Sequence, residues 1–351
     1  MTNTPVERMK AILLDAYRHP DRGGVFYSAN SAPTGSDRLN RMPFWDWTPE
    51  PTRFVDKSST VIFPLALGCK RVEIEEGKEW FEPMITDPAH VSALKLPDVH
   101  AGRTGEILRA VEAMVRDESE WYRIRSVDIQ SPLGVAELIW DKSFYVALIE
   151  TPEAVHELLD KITTFIIAFV KALRRIGGTR MNGCGFPGIW SDHEGVMVSD
   201  DTMSLVSPAM HREFSLAYLQ RLADACGPLY YHSCTWRQPY FDNIRRLHPV
   251  RTLNWNPGNS DDPALLFKAF AGAAVLTPHL VLDMHRDNDV LKLGRNFADE
   301  YEFFKYMLDS IPSEACVYFW FSNVVGNGPV IEKIYNLLDE RGLTPRARGL
   351  I

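Results

Sequence analysis

Residues 196–234 read VMVSDDTMSLVSPAMHREFSLAYLQRLADACGPLYYHSC. An apolar, β-branched run at 196–199 gives way to the acidic pair Asp200-Asp201, and Ser207-Pro208 then opens a helical stretch. Serine followed by proline suits an N-cap and the first helical position. Phe214, Tyr218 and Leu222 recur every four residues, as one buried helix face requires, and Gly227 stops the helix. A second apolar run at 229–232 ends in His232-Ser-Cys234. Strand, helix and strand in that order form a βαβ unit with parallel strands.

The same rhythm extends in both directions. Candidate strands fall at 25–28, 60–64, 127–130, 180–183, 196–199, 229–232, 252–255, 280–284 and 317–321. Nine candidates against the eight of a barrel leave one extra or broken strand. Thr151-Pro152-Glu153 reads as a second capped helix start, followed by the stripe Val155, Leu158, Leu159, Ile162, Phe165 and Ile166 and stopped at Gly177. The first 125 residues read as loop-rich, with Pro33, Pro43, Pro49 and Pro51 set among Phe44, Trp45 and Trp47. Aromatics at that density mark an ordered insertion rather than a disordered tail. The expectation is an α/β fold: one domain over residues 1–351, a (β/α)8 TIM barrel with an N-terminal loop-rich insertion.

Composition narrows the function. The chain has 351 residues, 45% hydrophobic and 24% charged, with a net charge of −8. That balance supplies no basic field for nucleic acid. No apolar run nears the roughly 20 residues of a bilayer span, and the N-terminus lacks the basic and apolar regions of a signal peptide. Cys69, Cys184, Cys226, Cys234 and Cys316 are odd in number and irregular in spacing, which reads as reduced thiols in a cytoplasmic protein. There is no P-loop, and no G-x-G-x-x-G follows a strand.

Barrel chemistry sits at the C-terminal ends of the strands. His232 and Cys234, two apart in an extended segment, share a face. They are either the nitrogen and sulfur ligands of a zinc ion or a buried thiol beside a hydrogen-bonded imidazole. Asp200 and Asp201 are candidate catalytic acids; the alternative is that one caps a turn while the other is solvated. Asp283 and His285 share a face at another strand end, where they are either further metal ligands or part of a salt-bridged loop with Arg286 and Asp287. Cys184, in a Gly-rich loop, is a candidate third ligand. Cys316, at the start of its strand, reads as core. Asn30, Gln130, Trp236, Trp255 and Asn323 are candidate contacts for a small-molecule substrate, with the tryptophans forming aromatic walls.

The order of residues 198–214, Tyr218-Leu219 and Tyr231-His-Ser-Cys234 resembles the uroporphyrinogen decarboxylase superfamily. In that superfamily an acidic pair, a Ser-Pro helix opening and a His-x-Cys strand end follow one another. Residues 151–160 (TPEAVHELLD) and 94–98 (LKLPD) resemble further segments of it. True uroporphyrinogen decarboxylases carry an Arg-Gln-Ala-Gly-Arg element, where this chain has FYSANSAPTG at 26–35, and a C-terminal Gly-His-Gly that is missing here. The methylcobamide-dependent methyltransferase branch holds zinc with His-x-Cys and a later cysteine. His232 and Cys234 match that pattern. The later cysteine would fall near Val324 or Val325, and Thr235 replaces the usual glycine. The resemblance implies a zinc-dependent methyltransferase acting with a corrinoid. The corrinoid would ride on a separate carrier protein, because this chain lacks the Asp-x-His-x-x-Gly carrier motif. A methyl group would move to or from a small thiol or methyl ether. Asp283, His285 or Cys184 would complete a variant metal set, and a homodimer is the family's usual assembly. The alternative is a metal-free decarboxylase or lyase acting on a small aromatic or carboxylated substrate, with Asp201 stabilising developing charge or moving a proton. A third reading is a tetrapyrrole-binding or regulatory protein on the same scaffold.

Overall fold

The strands in chain order are β1 Gly24–Ser28, β2 Thr52–Phe54, β3 Lys70–Glu75, β4 Lys78–Glu82, β5 Arg123–Arg125, β6 Met181–Asn182, β7 Val196–Ser199, β8 Leu229–His232, β9 Val250–Trp255, β10 Val275–Val281 and β11 Cys316–Ser322. They come from a computed structural model that describes residues 4–29, 46–56, 59–75, 78–119, 121–282, 297–322 and 328–350. Six strands form one parallel sheet in the order β1-β11-β10-β9-β8-β7. A second parallel sheet runs β2-β5-β6. The chain beyond β5 joins the two, because Gln130 bridges Ser199 in parallel. There the Ser199 amide donates to Ile129 O and the Ser131 amide to Ser199 O, both at 2.7 Å. Eight parallel strands, with β2 and the antiparallel β3–β4 hairpin added, make the expected (β/α)8 barrel.

The strands are buried because they are sandwiched. All four positions of β7 and all four of β8 are buried, the pattern of parallel strands covered on both faces. Outside them the helix Pro152–Gly177 buries Val155, Leu158, Leu159, Ile162, Phe165 and Ile166, the stripe read from the sequence. Thr151 precedes it without a side-chain cap; its hydroxyl donates back to Ala147 O instead. Ser207 does cap, accepting from the Met210 amide at 3.2 Å. The helix it opens divides into Pro208–Phe214 and Leu216–Cys226. The break falls at Ser215, whose hydroxyl leaves the helix to bond Asp200.

Three strand expectations need correction. Residues 60–64 are not a strand: Ile62–Leu67 is a helix, buried at Ile62, Phe63, Pro64, Ala66 and Leu67. An apolar run this short carries no period that separates strand from helix. The strand expected at 127–130 pairs earlier, at 123–125, and touches the main sheet only at Gln130. The strand expected at 280–284 begins at Val275 and ends at Val281, with Pro278 inside it, a residue that reads as a strand breaker. The first 125 residues are also more regular than expected. Their described part holds the β3–β4 hairpin and the helices Pro5–Arg18, Ile62–Leu67, Ala89–Ala93 and Gly102–Arg116. Glu50 ties this region down, accepting from Lys10 at 2.7 Å, Arg123 at 2.5 Å and Trp190 at 2.9 Å. Burial alone would raise its carboxyl, but these donors hold it down at about 2. Among the described residues no helix is long and apolar enough to cross a membrane.

Candidate metal centre at the barrel mouth

His232 ends β8 and stands beside Asn254 of β9, its register partner. The Asn254 amide nitrogen donates to Thr277 O on β10. That bond fixes the amide orientation, so Asn254 Oδ1 faces His232 Nδ1, at 2.5 Å. An amide oxygen can only accept, so Nδ1 carries the proton. In the neutral ring Nε2 then bears the lone pair. Nε2 lies 3.3 Å from Cys234 Sγ and 3.6 Å from Asp201 Oδ1. The three ligand atoms lie within 4.8 Å of one another, the one such group of His, Cys, Asp or Glu among the described residues. Two ligands of a tetrahedral zinc with bonds of 2.0–2.3 Å stand about 3.4–3.8 Å apart. The His232 spacings are of that size, and the donor set of nitrogen, sulfur and carboxylate oxygen fits the ion.

The turn that follows each strand places the other two ligands. Asp200 N donates to His232 O at 2.8 Å, so the end of β7 is locked to the end of β8. One residue on, Asp201 Oδ1 accepts the Cys234 backbone amide at 2.6 Å. Asp201 and Cys234 reach solvent while His232 is buried. Without a metal, burial and the neighbouring Asp201 carboxylate push the Cys234 thiol up to about 12. A thiolate there requires a cation.

Around these ligands the mouth is aromatic and acidic. The Phe186 ring stands edge-on to His232 at 4.8 Å, to His279 at 5.7 Å and to Trp320 at 4.8 Å. His279 stacks on Trp320 at 3.9 Å, and its Nε2 lies 2.6 Å from Ser322 Oγ. Burial, then the nearby His232, lower His279 to about 3, so it is neutral at pH 7. Asp128 accepts from Ser199 Oγ at 2.5 Å, and burial raises its carboxyl despite that bond and the field of His232. Neither residue was singled out from the sequence. His279 was hidden by placing its strand five residues too late. Asp128 shares a strand face with Gln130, and that alternation was the available signal.

The other expected site residues scatter. Asp200 is fully buried and belongs to the core. It accepts from Ser131 Oγ at 2.6 Å and from His211 Nε2, Ser215 Oγ and Tyr231 Oη at 3.0 Å each. Burial pushes its carboxyl up, but the bonds from His211, Ser131 and Tyr231 outweigh burial and hold it below the usual range. Trp236 and Trp255 do not wall the mouth. With Asn254 turned toward His232, the next residue points to the other face of β9. There Trp255 packs with Trp236 at 6.3 Å and Phe267 at 5.9 Å, both tryptophans fully buried. Gln130 is buried at its bridge to Ser199. Cys184 is no ligand. It is fully buried, its thiol donating to Phe186 O at 3.3 Å. Its loop packs directly on the chain beyond β5, where a Cβ on Gly185 would meet Ser126 O at 2.4 Å. Cys316 opens β11 in the core, as expected. Asn30, Asp283, His285 and Asn323 lie outside the described residues.

Residues 55–185 match the family model described as uroporphyrinogen decarboxylase (URO-D). The uroporphyrinogen decarboxylase of Xanthomonas axonopodis pv. citri (strain 306) is 26% identical over 182 residues, 47% of this chain and 44% of that relative. That of Xanthomonas euvesicatoria pv. vesicatoria (strain 85-10) is also 26% identical, over the same shares. The chain thus spans less than half the length of the curated relatives it matches. A methyltransferase from Methanosarcina mazei shares the fold with a TM-score of 0.62 at 15% identity, over 95% of this chain and 98% of that one. The family match over residues 55–185, the partial likeness to these relatives and the shared barrel fold are in keeping with the resemblance read from residues 198–234.

Proposed function

We propose that this chain is a zinc-dependent methyltransferase working with a corrinoid held on a separate carrier protein, and that it moves a methyl group to or from a small thiol or methyl ether. The observation that carries the proposal is the orientation of His232. Asn254 commits its Nδ1 as a donor and leaves the Nε2 lone pair facing a thiol and a carboxylate at tetrahedral spacing. Three protein ligands leave a fourth position for substrate, the arrangement of catalytic zinc sites. When bound, the ion would supply Lewis acidity, lowering the proton affinity of a substrate thiol or polarising the oxygen of a methyl ether. This chain's residues would do the rest. Asp201, His232 and Cys234 hold the ion; Asn254 and the Cys234 amide orient them; Phe186, His279 and Trp320 supply an apolar wall. The methyltransferase fold of the Methanosarcina mazei protein supports the reading. The protein would be a cytoplasmic homodimer.

Elemental analysis of untagged protein, paired with methyl transfer followed by corrinoid absorbance, tests the proposal. About one zinc per chain is expected, with turnover lost on chelation and restored by zinc. Turnover that survives complete chelation overturns it. Metal-free protein that transfers no methyl group but releases carbon dioxide from a carboxylated substrate would favour a decarboxylase or lyase using Asp201, a reading supported by the family match over residues 55–185.

The orienting role of Asn254 has its own test. Leucine at this position fills similar space but cannot accept from Nδ1. Losing the partner that orients a metal ligand costs about 10–100-fold in metal affinity, so Asn254→Leu should weaken zinc by that factor in a competition titration with a chromophoric chelator. An unchanged affinity would show that the hydrogen bond does not set the ligand.

A further inference from the structure

We infer a second binding site, on the flank of the barrel, for a small organic cation with a methylated ammonium head. A cavity of about 220 Å³ lies between the β3–β4 hairpin and the segment that follows the helix Pro132–Ile139. One wall is the stacked pair Trp80 and Phe81, with centroids 4.9 Å apart and planes 18° from parallel. Trp140 and Tyr145 line it from the opposite segment, each packed on Phe144, at 6.0 and 5.5 Å. Glu137, Asp141 and Lys142 supply the charged part of the lining.

The site is built rather than incidental. Asp141 N donates to Ile85 O at 2.9 Å, and Met84 N and Ile85 N donate to Ile139 O at 2.9 and 3.0 Å. A parallel bridge between Ile85 and Trp140 completes the tie. The chain leaving the hairpin is therefore fastened to the helix end, and the two aromatic walls hold their separation. The Tyr145 hydroxyl reaches Glu137 Oε1 at 3.4 Å. Burial raises the Glu137 carboxyl, as expected for a half-buried anion. Asp141 is held by Ser143, accepting from its amide at 2.9 Å and its hydroxyl at 2.5 Å, and lies in the field of the exposed Lys142 at the rim, whereas Glu137 makes no ion pair among the described residues.

Indole and phenol faces attract cations through the ring quadrupole, and desolvation strengthens that attraction. The Glu137 carboxylate beside those faces adds charge of the matching sign. The cavity is bounded on one side by the Ile85–Trp140 tie, so it suits a compact head group rather than an extended peptide. It is also separate from the mouth. Ser131, which caps the helix start, bonds Asp200 there, and eight residues of helix at 1.5 Å per residue put the far end about 12 Å away.

Isothermal titration of the full chain with choline, and with its uncharged isostere 3,3-dimethylbutan-1-ol, tests the site. Choline should bind once per chain, and the isostere about tenfold more weakly or not at all. Trp80→Leu and Glu137→Gln should each weaken choline several-fold with the melting temperature unchanged, while Cys234→Ser should leave choline binding as it is. Equal binding of the isostere, no choline binding, or full choline binding in Trp80→Leu overturns the inference. Loss of choline binding in Cys234→Ser would place the cation at the barrel mouth and overturn it too. None of these outcomes depends on whether the mouth holds zinc.

Discussion

Replacing Cys234 with serine should empty the barrel mouth of metal while leaving the fold intact. A serine hydroxyl keeps its proton near neutral pH and is a poor zinc ligand, so His232 and Asp201 would be left with two of the three protein ligands a catalytic zinc needs. Zinc content is expected to fall from about one per chain to a trace. Methyl transfer should fall by at least about 100-fold, the upper end of what losing a mere supporting partner costs. Two features keep the experiment clean. Cys234 is exposed and its thiol meets only the other two members of the cluster, His232 and Asp201, so nothing in the core is disturbed. The group that holds Asp201 is the Cys234 backbone amide, which serine retains. Elemental analysis, thermal melting and the transfer assay on one preparation separate the cases. Full zinc occupancy in the variant would remove the thiol from the ligand set and with it the proposed chemistry.

Asp200→Ala should be the most destabilising change in the turn after β7, whereas substitution of its neighbour Asp201 should cost little. Asp200 accepts four hydrogen bonds inside the protein. The donor role of His211 is fixed from behind. Asn243 Nδ2 donates to Pro208 O at 2.7 Å and to His211 Nδ1 at 3.1 Å, and its Oδ1 accepts from Arg212. His211 Nδ1 is thus an acceptor, and Nε2 carries the proton that Asp200 receives. Alanine would strand Ser131, His211, Ser215 and Tyr231 as buried donors. Breaking a buried charged network by removing one partner costs about 3–5 kcal/mol. Asp201→Asn at a half-exposed position should stay within about 1 kcal/mol. Chemical denaturation of the two variants side by side reads the contrast. Equal stabilities would mean that the donors around Asp200 find other partners and that it is not the keystone of this turn.

That contrast also shows what the sequence could and could not disclose. The βαβ unit at 196–234 was legible because its caps, stripe and stop signals all agree; β7 and β8 fall at the positions read from the chain. His232 and Cys234 were legible as a pair because extended backbone puts alternate residues on one face. The third member was not. Asp200 and Asp201 are identical in chemistry and adjacent in the chain, and only the hydroxyls arriving from residues 131, 215 and 231 and the imidazole from 211 decide which one is buried. Cys184 was one candidate third ligand, yet its thiol turns into its own loop. His279 was missed because its strand was read as 280–284, whereas it begins at Val275 and carries Pro278 while paired on both sides. Trp236 and Trp255 failed for a different reason: a large indole is as useful for filling the space between barrel and helices as for facing a ligand, and sequence does not distinguish the two.

The turns after β7 and β8 are sewn together in both directions, Asp200 N to His232 O and Cys234 N to Asp201 Oδ1. Two stitches running opposite ways make the ligand frame a stiff clasp whose span is set by backbone geometry. An ion larger than the span would have to pull the Cys234 amide off Asp201 before it could seat, and a smaller one would leave one donor out of reach. Discrimination among divalent ions at this mouth would then be a matter of radius, enforced by one peptide hydrogen bond, on top of the preference that nitrogen, sulfur and oxygen donors express on their own.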